Sequence, residues 1–374
     1  MPSHRKSRRD FLKTSLASAA SVPIVRGATA HARAQEAARP SRIRFAAIGL
    51  NHGHIYGQVE TVVRGGGTLA SFYAKEPELA AEFSKRFPDV KRAGSPTEIY
   101  DDASIQLIVS AAIPNERAGI AIEAMNHGKD VMLDKPGMTT LEQLAEVRRV
   151  QADTKRIVSI LYGERLENRG TVKAGELVKE GAIGRVVQTA GFGPHRMNPK
   201  TRPPWFFERE RYGGILCDIA SHQFDQFLYF TGSTKAEIVA SQVGNVNHPD
   251  HPGIEDFGDV MLRGDGGSGY IRVDWFTPDG LNTWGDGRLT VLGTDGFIEV
   301  RKNVDIAGRA GGSHLFLVDQ KETRYIDCSN MALPYGERLV DDIINRTETA
   351  VPQAHTFLAQ ELALIAQKNA RRLT

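Results

Sequence analysis

What most constrains this chain is a rhythm between residues 42 and 161, where a short apolar run, a turn and an amphipathic stretch follow one another repeatedly. The runs at 43–48, 68–73, 105–111, 131–133 and 157–161 are continuous rather than alternating. Strands read this way when both of their faces are buried. Between them, 55–64, 77–87, 115–127 and 141–154 carry helical periodicity, and Gly128 stands just past the third, where a left-handed C-cap belongs. Strands alternating with helices of this length predict an α/β domain, a parallel sheet wound by crossover helices. Such sheets bind ligands beyond the carboxyl ends of their strands, so chemistry is expected in the residues that follow each run.

After Tyr162 the texture changes. A helix over 172–180 closes on Gly181, a strand covers 185–190, and a loop rich in Pro, Arg and aromatics fills 192–211. An apolar helix follows at 215–230, strands with Gly-rich turns dominate 236–326, and 356–370 reads as a closing helix. This predicts a second, α+β domain over 162–374, built on a large, mostly antiparallel open sheet.

The first residues form a different unit. Ser7-Arg8-Arg9-Asp10-Phe11-Leu12-Lys13 precedes a weakly apolar stretch and two small-residue cleavage candidates, ending at Ala30 and Ala34. That order reads as a twin-arginine leader over 1–34, an address for the Tat translocon and a periplasmic or otherwise extracytoplasmic destination. The apolar part is too short to span a bilayer, which takes roughly 20 residues. Seven Lys/Arg against one acid in the leader account for the formal charge of +2, and the remaining residues carry −4. A mildly acidic body without a basic run predicts no nucleic-acid partner and no membrane partner. Two cysteines, Cys217 and Cys328, are too few for a disulfide framework or a zinc cage.

Three stretches carry chemistry. The first, 43–54, reads I-R-F-A-A-I-G-L-N-H-G-H, a strand entering a turn where a dinucleotide-binding unit places Gly-x-Gly-x-x-Gly. Gly49 holds the first position, Asn51 the second and His54 the third, with His52 and Gly53 between. At the end of the second strand Ala74 stands where an acid would meet a ribose hydroxyl, and Lys75 follows it. A missing acid beside a cation suits a 2′-phosphate, so NADP is expected, with NAD the alternative through Glu76.

The second stretch, 109–137, ends one strand in Pro114-Asn115 and the next in Asp134-Lys135-Pro136. A lysine at the carboxyl end of a parallel strand can donate to a substrate hydroxyl and stabilise developing negative charge. The third, Gly213-Gly214-Ile215-Leu216-Cys217-Asp218-Ile219-Ala220-Ser221-His222-Gln223-Phe224-Asp225, spaces Asp218 and His222 four apart, as neighbours on one helix face. An imidazole is well matched to taking a proton from an alcohol near neutral pH, and a nearby carboxylate would orient it.

On these motifs the chain resembles the Gfo/Idh/MocA family, oxidoreductases of the glucose-fructose oxidoreductase and inositol dehydrogenase type. Members carry Pro-Asn and Glu-Lys-Pro after the corresponding strands and a Gly-Gly…Asp-x-x-x-His-x-x-Asp helix, with Asp134 here replacing Glu. The resemblance implies an N-terminal Rossmann domain over 42–161 and a tightly held NAD(P). It also implies hydride transfer with a small sugar or polyol, and a homo-oligomer formed through the C-terminal sheet. Lys135, Asp218 and His222 become the catalytic group, His222 being the acid/base. Gly49, Asn51, His52, Gly53, His54, Lys75, Pro114, Asn115, Asp134 and Lys135 become the cofactor side. Tyr162 and Arg165, after the sixth strand, and His195, Arg202 and Trp205, in the long loop, become the substrate side. Two other functions remain open: a glycosidase using bound NAD with no net redox, and a non-catalytic binding protein. His52-x-His54 and His248-Pro249-Asp250-His251 show no third ligand by spacing, so no metal is assigned.

Overall fold

The computed structural model describes residues 41–373, and the leader expected at 1–34 lies outside them. Six strands form an all-parallel sheet: β1 (Ile43–Ile48), β2 (Gly67–Tyr73), β3 (Lys91–Arg92), β4 (Leu107–Ser110), β5 (Asp130–Asp134) and β6 (Val158–Leu161). Their order is β3-β2-β1-β4-β5-β6, so the winding reverses between β1 and β4. Ligands of open α/β sheets bind at that crevice. Helices α1 (His54–Arg64), α2 (Pro77–Arg86), α3 (Pro96–Tyr100), α4 (Arg117–Asn126) and α5 (Leu141–Thr154) make the connections. Every residue of β4, β5 and β6 is buried, which is why these runs lack polar alternation. Gly128, at φ +72°, follows α4 as expected.

The remaining elements are α6 (Gly163–Leu166), α7 (Arg169–Lys179), β7 (Val186–Pro194), α8 (Arg209–Tyr212), α9 (Ile215–Asp218), α10 (Ser221–Thr231), β8 (Ala236–Gly244), β9 (Phe257–Gly264), β10 (Ser268–Asp274), β11 (Arg288–Gly293), β12 (Gly296–Arg301), β13 (His314–Asp319), β14 (Thr323–Asp327), α11 (Tyr335–Asn345), α12 (Gln353–Asn369) and β15 (Arg371–Arg372). Nine strands build the second sheet in the order β14-β13-β12-β11-β7-β10-β9-β8-β15. Only β7 with β10 and β8 with β15 run parallel, so the sheet is largely antiparallel as the sequence predicts. Alternation is visible here: Leu289, Val291, Ile298, Val300, Leu315 and Leu317 point into a core shared with α7. The opposite face carries Met261, Leu292, Phe297 and Tyr325, all exposed.

Helix α12 packs against both sheets, and its buried glutamines bond β6, the turn after β5 and α9. Gln353 bonds both the N–H and the C=O of Val158 in β6, Gln360 accepts from the Gly137 N–H and donates to the Met138 C=O, and Gln367 accepts from the N–H groups of Leu216 and Cys217. One helix thereby fixes the turn after β5 against α9. Lys135 and Asp218 sit on those two pieces.

The helix expected over 215–230 is in fact two. The Ala220 N–H bonds Ile215 C=O, and the His222 N–H reaches only Ile219 C=O, so the chain widens and then tightens between α9 and α10.

Candidate active site

Gly49 closes β1 at φ +78°, and a Cβ there would come 2.4 Å from the Ala112 Cβ. Only glycine lets the ends of β1 and β4 approach this closely. The turn then leads into the N-terminus of α1. Asn51, His52, Gly53, His54 and Pro114 form one wall of a cavity of ≈ 540 Å³, and Lys135, Asp218 and His222 line it as well. The three proposed catalytic side chains, far apart in sequence, therefore share one chamber with the altered glycine turn.

Lys135 Nζ donates to Asp218 Oδ1 at 2.8 Å, and both groups are largely buried. Burial opposes ionisation of Asp218, yet the ammonium of Lys135 beside it holds its pKa below the ordinary carboxylate value. His222 stands apart from this pair. Its Nδ1 is buried without a hydrogen-bond partner, and Tyr162 meets its ring edge-on at 6.3 Å between centroids. Burial pushes the imidazole down to about 3, opposed chiefly by the charge of Glu164. The sequence-based expectation that Asp218 orients His222 is thus corrected: the Asp218 carboxylate bonds Lys135 instead. Glu164 is the carboxylate whose field reaches the imidazole. Gln223 and Gln226 donate to Glu164 at 2.8 and 3.3 Å and Lys302 pairs with it, and against the effect of burial Lys302 holds it down at about 2. No local motif marks Glu164. It is brought in by α6, a four-residue helix.

Of the substrate-side residues, His195, Arg202 and Trp205 line the cavity. The Arg202 guanidinium lies over the rings of Phe206 and Trp275, and His195 meets Trp275 and Trp284 at 5.4 and 4.6 Å. Trp275 and Trp284 were not singled out by the sequence; nothing local distinguishes them from packing aromatics. Tyr162 is fully buried behind His222, with its hydroxyl unpartnered. Arg165 is a correction. Its Nε and Nη2 donate to Asp225 at 2.6 and 2.7 Å, His355 bonds the same carboxylate at 2.8 Å, and the guanidinium covers Tyr229. It lines a separate cavity of ≈ 200 Å³, so it braces α6 against α10 instead of facing the chamber.

On the cofactor side, Asp134 is a hub. It accepts from Arg117 Nη2 at 3.0 Å and from the Lys135 N–H at 2.8 Å, and the Nδ1 atoms of His52 and His54 approach it at 3.2 and 2.9 Å. Among the described residues, three or more metal-capable side chains come together only at His52, His54 and Asp134. His248 instead pairs with Asp256, and His251 stacks on Phe207. Asn115 keeps its side-chain oxygen buried and unpartnered. At the end of β2, Ala74 is buried and Lys75 exposed, and Asn51 Nδ2 donates to Glu76 Oε1 at 2.9 Å.

The comparisons with known proteins agree with this fold. Residues 43–162 match the oxidoreductase family with an NAD-binding Rossmann fold, and residues 171–299 match the GFO/IDH/MocA C-terminal domain. A solved structure from Erwinia carotovora atroseptica SCRI1043, described as an oxidoreductase, is 47% identical with a TM-score of 0.87, covering 89% of this chain and 100% of that one. The chain belongs to the GFO/IDH/MocA oxidoreductase family. Levoglucosan dehydrogenase of Pseudarthrobacter phenanthrenivorans is 30% identical over 202 residues, 53% of this chain and 51% of the relative. The chain thus spans about half the length of that curated relative. A GFO/IDH/MocA-like fold also appears in an Agrobacterium radiobacter oxidoreductase in complex with NAD+, L-tartaric acid and magnesium, at 17% identity and TM-score 0.74, covering 88% of this chain and 96% of that one. Family membership accounts for the two sheets.

Proposed function

We propose that this protein transfers hydride between a carbinol carbon of a sugar or polyol and a tightly held nicotinamide dinucleotide. The observation that carries the proposal is the meeting of Lys135, Asp218 and His222 in the cavity bounded by the turn after β1. The residues fit such a cofactor: Gly49 permits the close crossing of β1 and β4, and Asn115 offers a buried oxygen with no partner in the chain. Gly49, Asn51, Gly53, Pro114 and Asn115 would hold it. When bound, the dinucleotide supplies the two-electron acceptor or donor.

The chain's own residues do the rest. Lys135, fixed by Asp218, directs an N–H of its ammonium at the substrate oxygen and stabilises negative charge developing there. His222 Nδ1 is sealed, so Nε2 is the atom that would accept the hydroxyl proton. Trp275, Trp284, Phe206 and Arg202 provide the flat apolar and cationic surfaces that suit a sugar ring. Relatives named levoglucosan dehydrogenase and scyllo-inositol 2-dehydrogenase support that substrate class.

For the nucleotide, Glu76 favours NAD over the NADP suggested by Ala74 and Lys75. A carboxylate at the end of the second strand suits a free ribose 2′-hydroxyl and repels a 2′-phosphate. Denaturing the purified protein and identifying the released nucleotide by mass tests the proposal. About one NAD per chain is expected; NADP would overturn the nucleotide assignment, and no nucleotide would overturn a captive cofactor.

We infer export by the Tat route from Arg8-Arg9 and the leader order. An Arg8→Lys/Arg9→Lys variant is expected to accumulate in the cytoplasm, and normal export of that variant would contradict the inference. The apolar outer face of the nine-stranded sheet supports a homo-oligomer. Met261→Glu is expected to lower the mass in solution, read by light scattering, and an unchanged mass would contradict it.

The buried histidines also set acid stability. Burial pushes His222 down to about 3 and His195 to about 4, while both titrate near 6.5 in the unfolded chain. Between those values the unfolded state binds more protons, so stability is full above pH ~6.5 and falls as pH drops, by up to about 1.4 kcal/mol per unit for each group. Thermal midpoints measured from pH 7.5 to 4.5 should decline, and a His195→Gln/His222→Gln double variant should decline less steeply. An equally steep decline in the double variant would contradict this account.

A further inference from the structure

The turn after β1 carries two imidazoles where a dinucleotide-binding loop usually carries small residues, and both are aimed at one buried carboxylate. We propose that His52, His54 and Asp134 form a binding site for one divalent transition-metal ion of the zinc class, set in the wall of the active-site cavity.

The geometry supports three ligands from one face. His54 Nδ1 lies 2.9 Å from Asp134 Oδ1 and His52 Nδ1 lies 3.2 Å from Oδ2, with the two rings perpendicular and 4.0 Å apart between centroids. All the candidate ligand atoms fall within 4.8 Å of one another. An ion with bonds of about 2.0–2.2 Å spaces its ligands roughly 3–3.5 Å apart, so small side-chain adjustments would close the site.

Asp134 Oδ1 accepts from the Lys135 N–H and bonds His54 Nδ1, and Oδ2 accepts from Arg117, so an ion would take the place of the His54 hydrogen bond and use the lone pair that Oδ2 retains. Arg117 is itself fully engaged with Asp134 and the C=O groups of Ala112 and Pro136, so its charge is spent on the scaffold. His52 Nδ1 is buried beside the carboxylate yet makes no hydrogen bond. An imidazole nitrogen facing a carboxylate with no proton shared between them is an arrangement that a cation satisfies.

The donor set selects the ion. Two imidazoles and one carboxylate suit zinc, cobalt, iron or manganese, whereas calcium and magnesium favour all-oxygen sites. Three protein ligands leave a position open. His52, His54 and Lys135 all line the chamber, so a substrate hydroxyl or carboxylate oxygen is the class of ligand that would complete the shell there. Spacing alone could not reveal the site, because Asp134 enters from β5, eighty residues beyond His54.

The test uses the purified full-length protein, stripped with a chelator and titrated with Co2+. One equivalent is expected to bind, with the visible absorption of nitrogen- and oxygen-ligated cobalt, and to be displaced by Zn2+. His52→Ala and His54→Ala should each weaken binding at least about 100-fold, while His248→Ala should leave it unchanged. His54 is half-exposed, so its replacement leaves the core intact. Absence of stoichiometric binding, or equal binding in the His52 and His54 variants, would overturn the proposal. Released nucleotide is measured separately, so loss of the metal reading and loss of the dehydrogenase reading are distinguishable.

Discussion

Lys135→Met is expected to lower turnover by about 10³-fold while the protein still releases its full complement of nucleotide on denaturation. The magnitude follows from removing a preorganised donor from a site that excludes water, where one such group is worth roughly 10²–10³ in rate, and from leaving Asp218 without its partner. Lys135 Nζ is held at 2.8 Å by Asp218 and is largely buried, so no other ammonium can take its place. His222→Asn should cost about 10²–10⁴-fold, the usual range for a positioned acid/base. Steady-state kinetics on the two variants, with nucleotide content measured in parallel, checks both. Turnover within tenfold of the parent for Lys135→Met would remove it from the chemistry.

The second large effect is on stability. Arg165→Met should cost about 3–5 kcal/mol, because it strands the fully buried carboxylate of Asp225 with the His355 hydrogen bond as its remaining side-chain contact. Burial opposes the charge on Asp225, and the Arg165 guanidinium, with the hydrogen bond to His355, holds its carboxyl at about 2. Urea unfolding should show a lower midpoint with an unchanged slope, and Arg165→Met/Asp225→Leu should recover part of the loss. The folded fraction should keep its KM. A raised KM with unaltered stability would restore Arg165 to the substrate side and contradict its placement in the brace between α6 and α10.

The contrast between these two residues shows what the sequence could reveal. Lys135 was legible because a buried parallel strand must end in the ligand crevice, and β5 ends at Asp134. Arg165 follows β6 in the same way, but α6 turns it away from the crevice, and only tertiary packing against Asp225 and Tyr229 shows this. The parallel strands were readable because burial on both faces forces continuous apolar runs. The two-residue β3 and the five-residue α3 were not, since neither is long enough to express a period. The break between α9 and α10 contains no Pro or Gly, so nothing local announces it. Asp218 and His222 stand on either side of it. Trp275 and Trp284 reach the cavity from the segment beyond β10, a placement set by the order of the nine-stranded sheet. Asp134 was expected on the cofactor side, as a variant of the family's Glu. Its convergence with His52 and His54 depends on the pairing of β1 with β4 and of β4 with β5.

Hydride transfer is tested most directly by mixing the purified protein, with its bound nucleotide, with a panel of aldoses and inositols carrying deuterium at their carbinol carbons. The released nucleotide is then examined by mass spectrometry. Deuterium on the nicotinamide ring is expected with at least one member of the panel, and is expected to be absent in Lys135→Met. A nucleotide that stays unlabelled across the panel, in protein that binds those same sugars, would contradict the account.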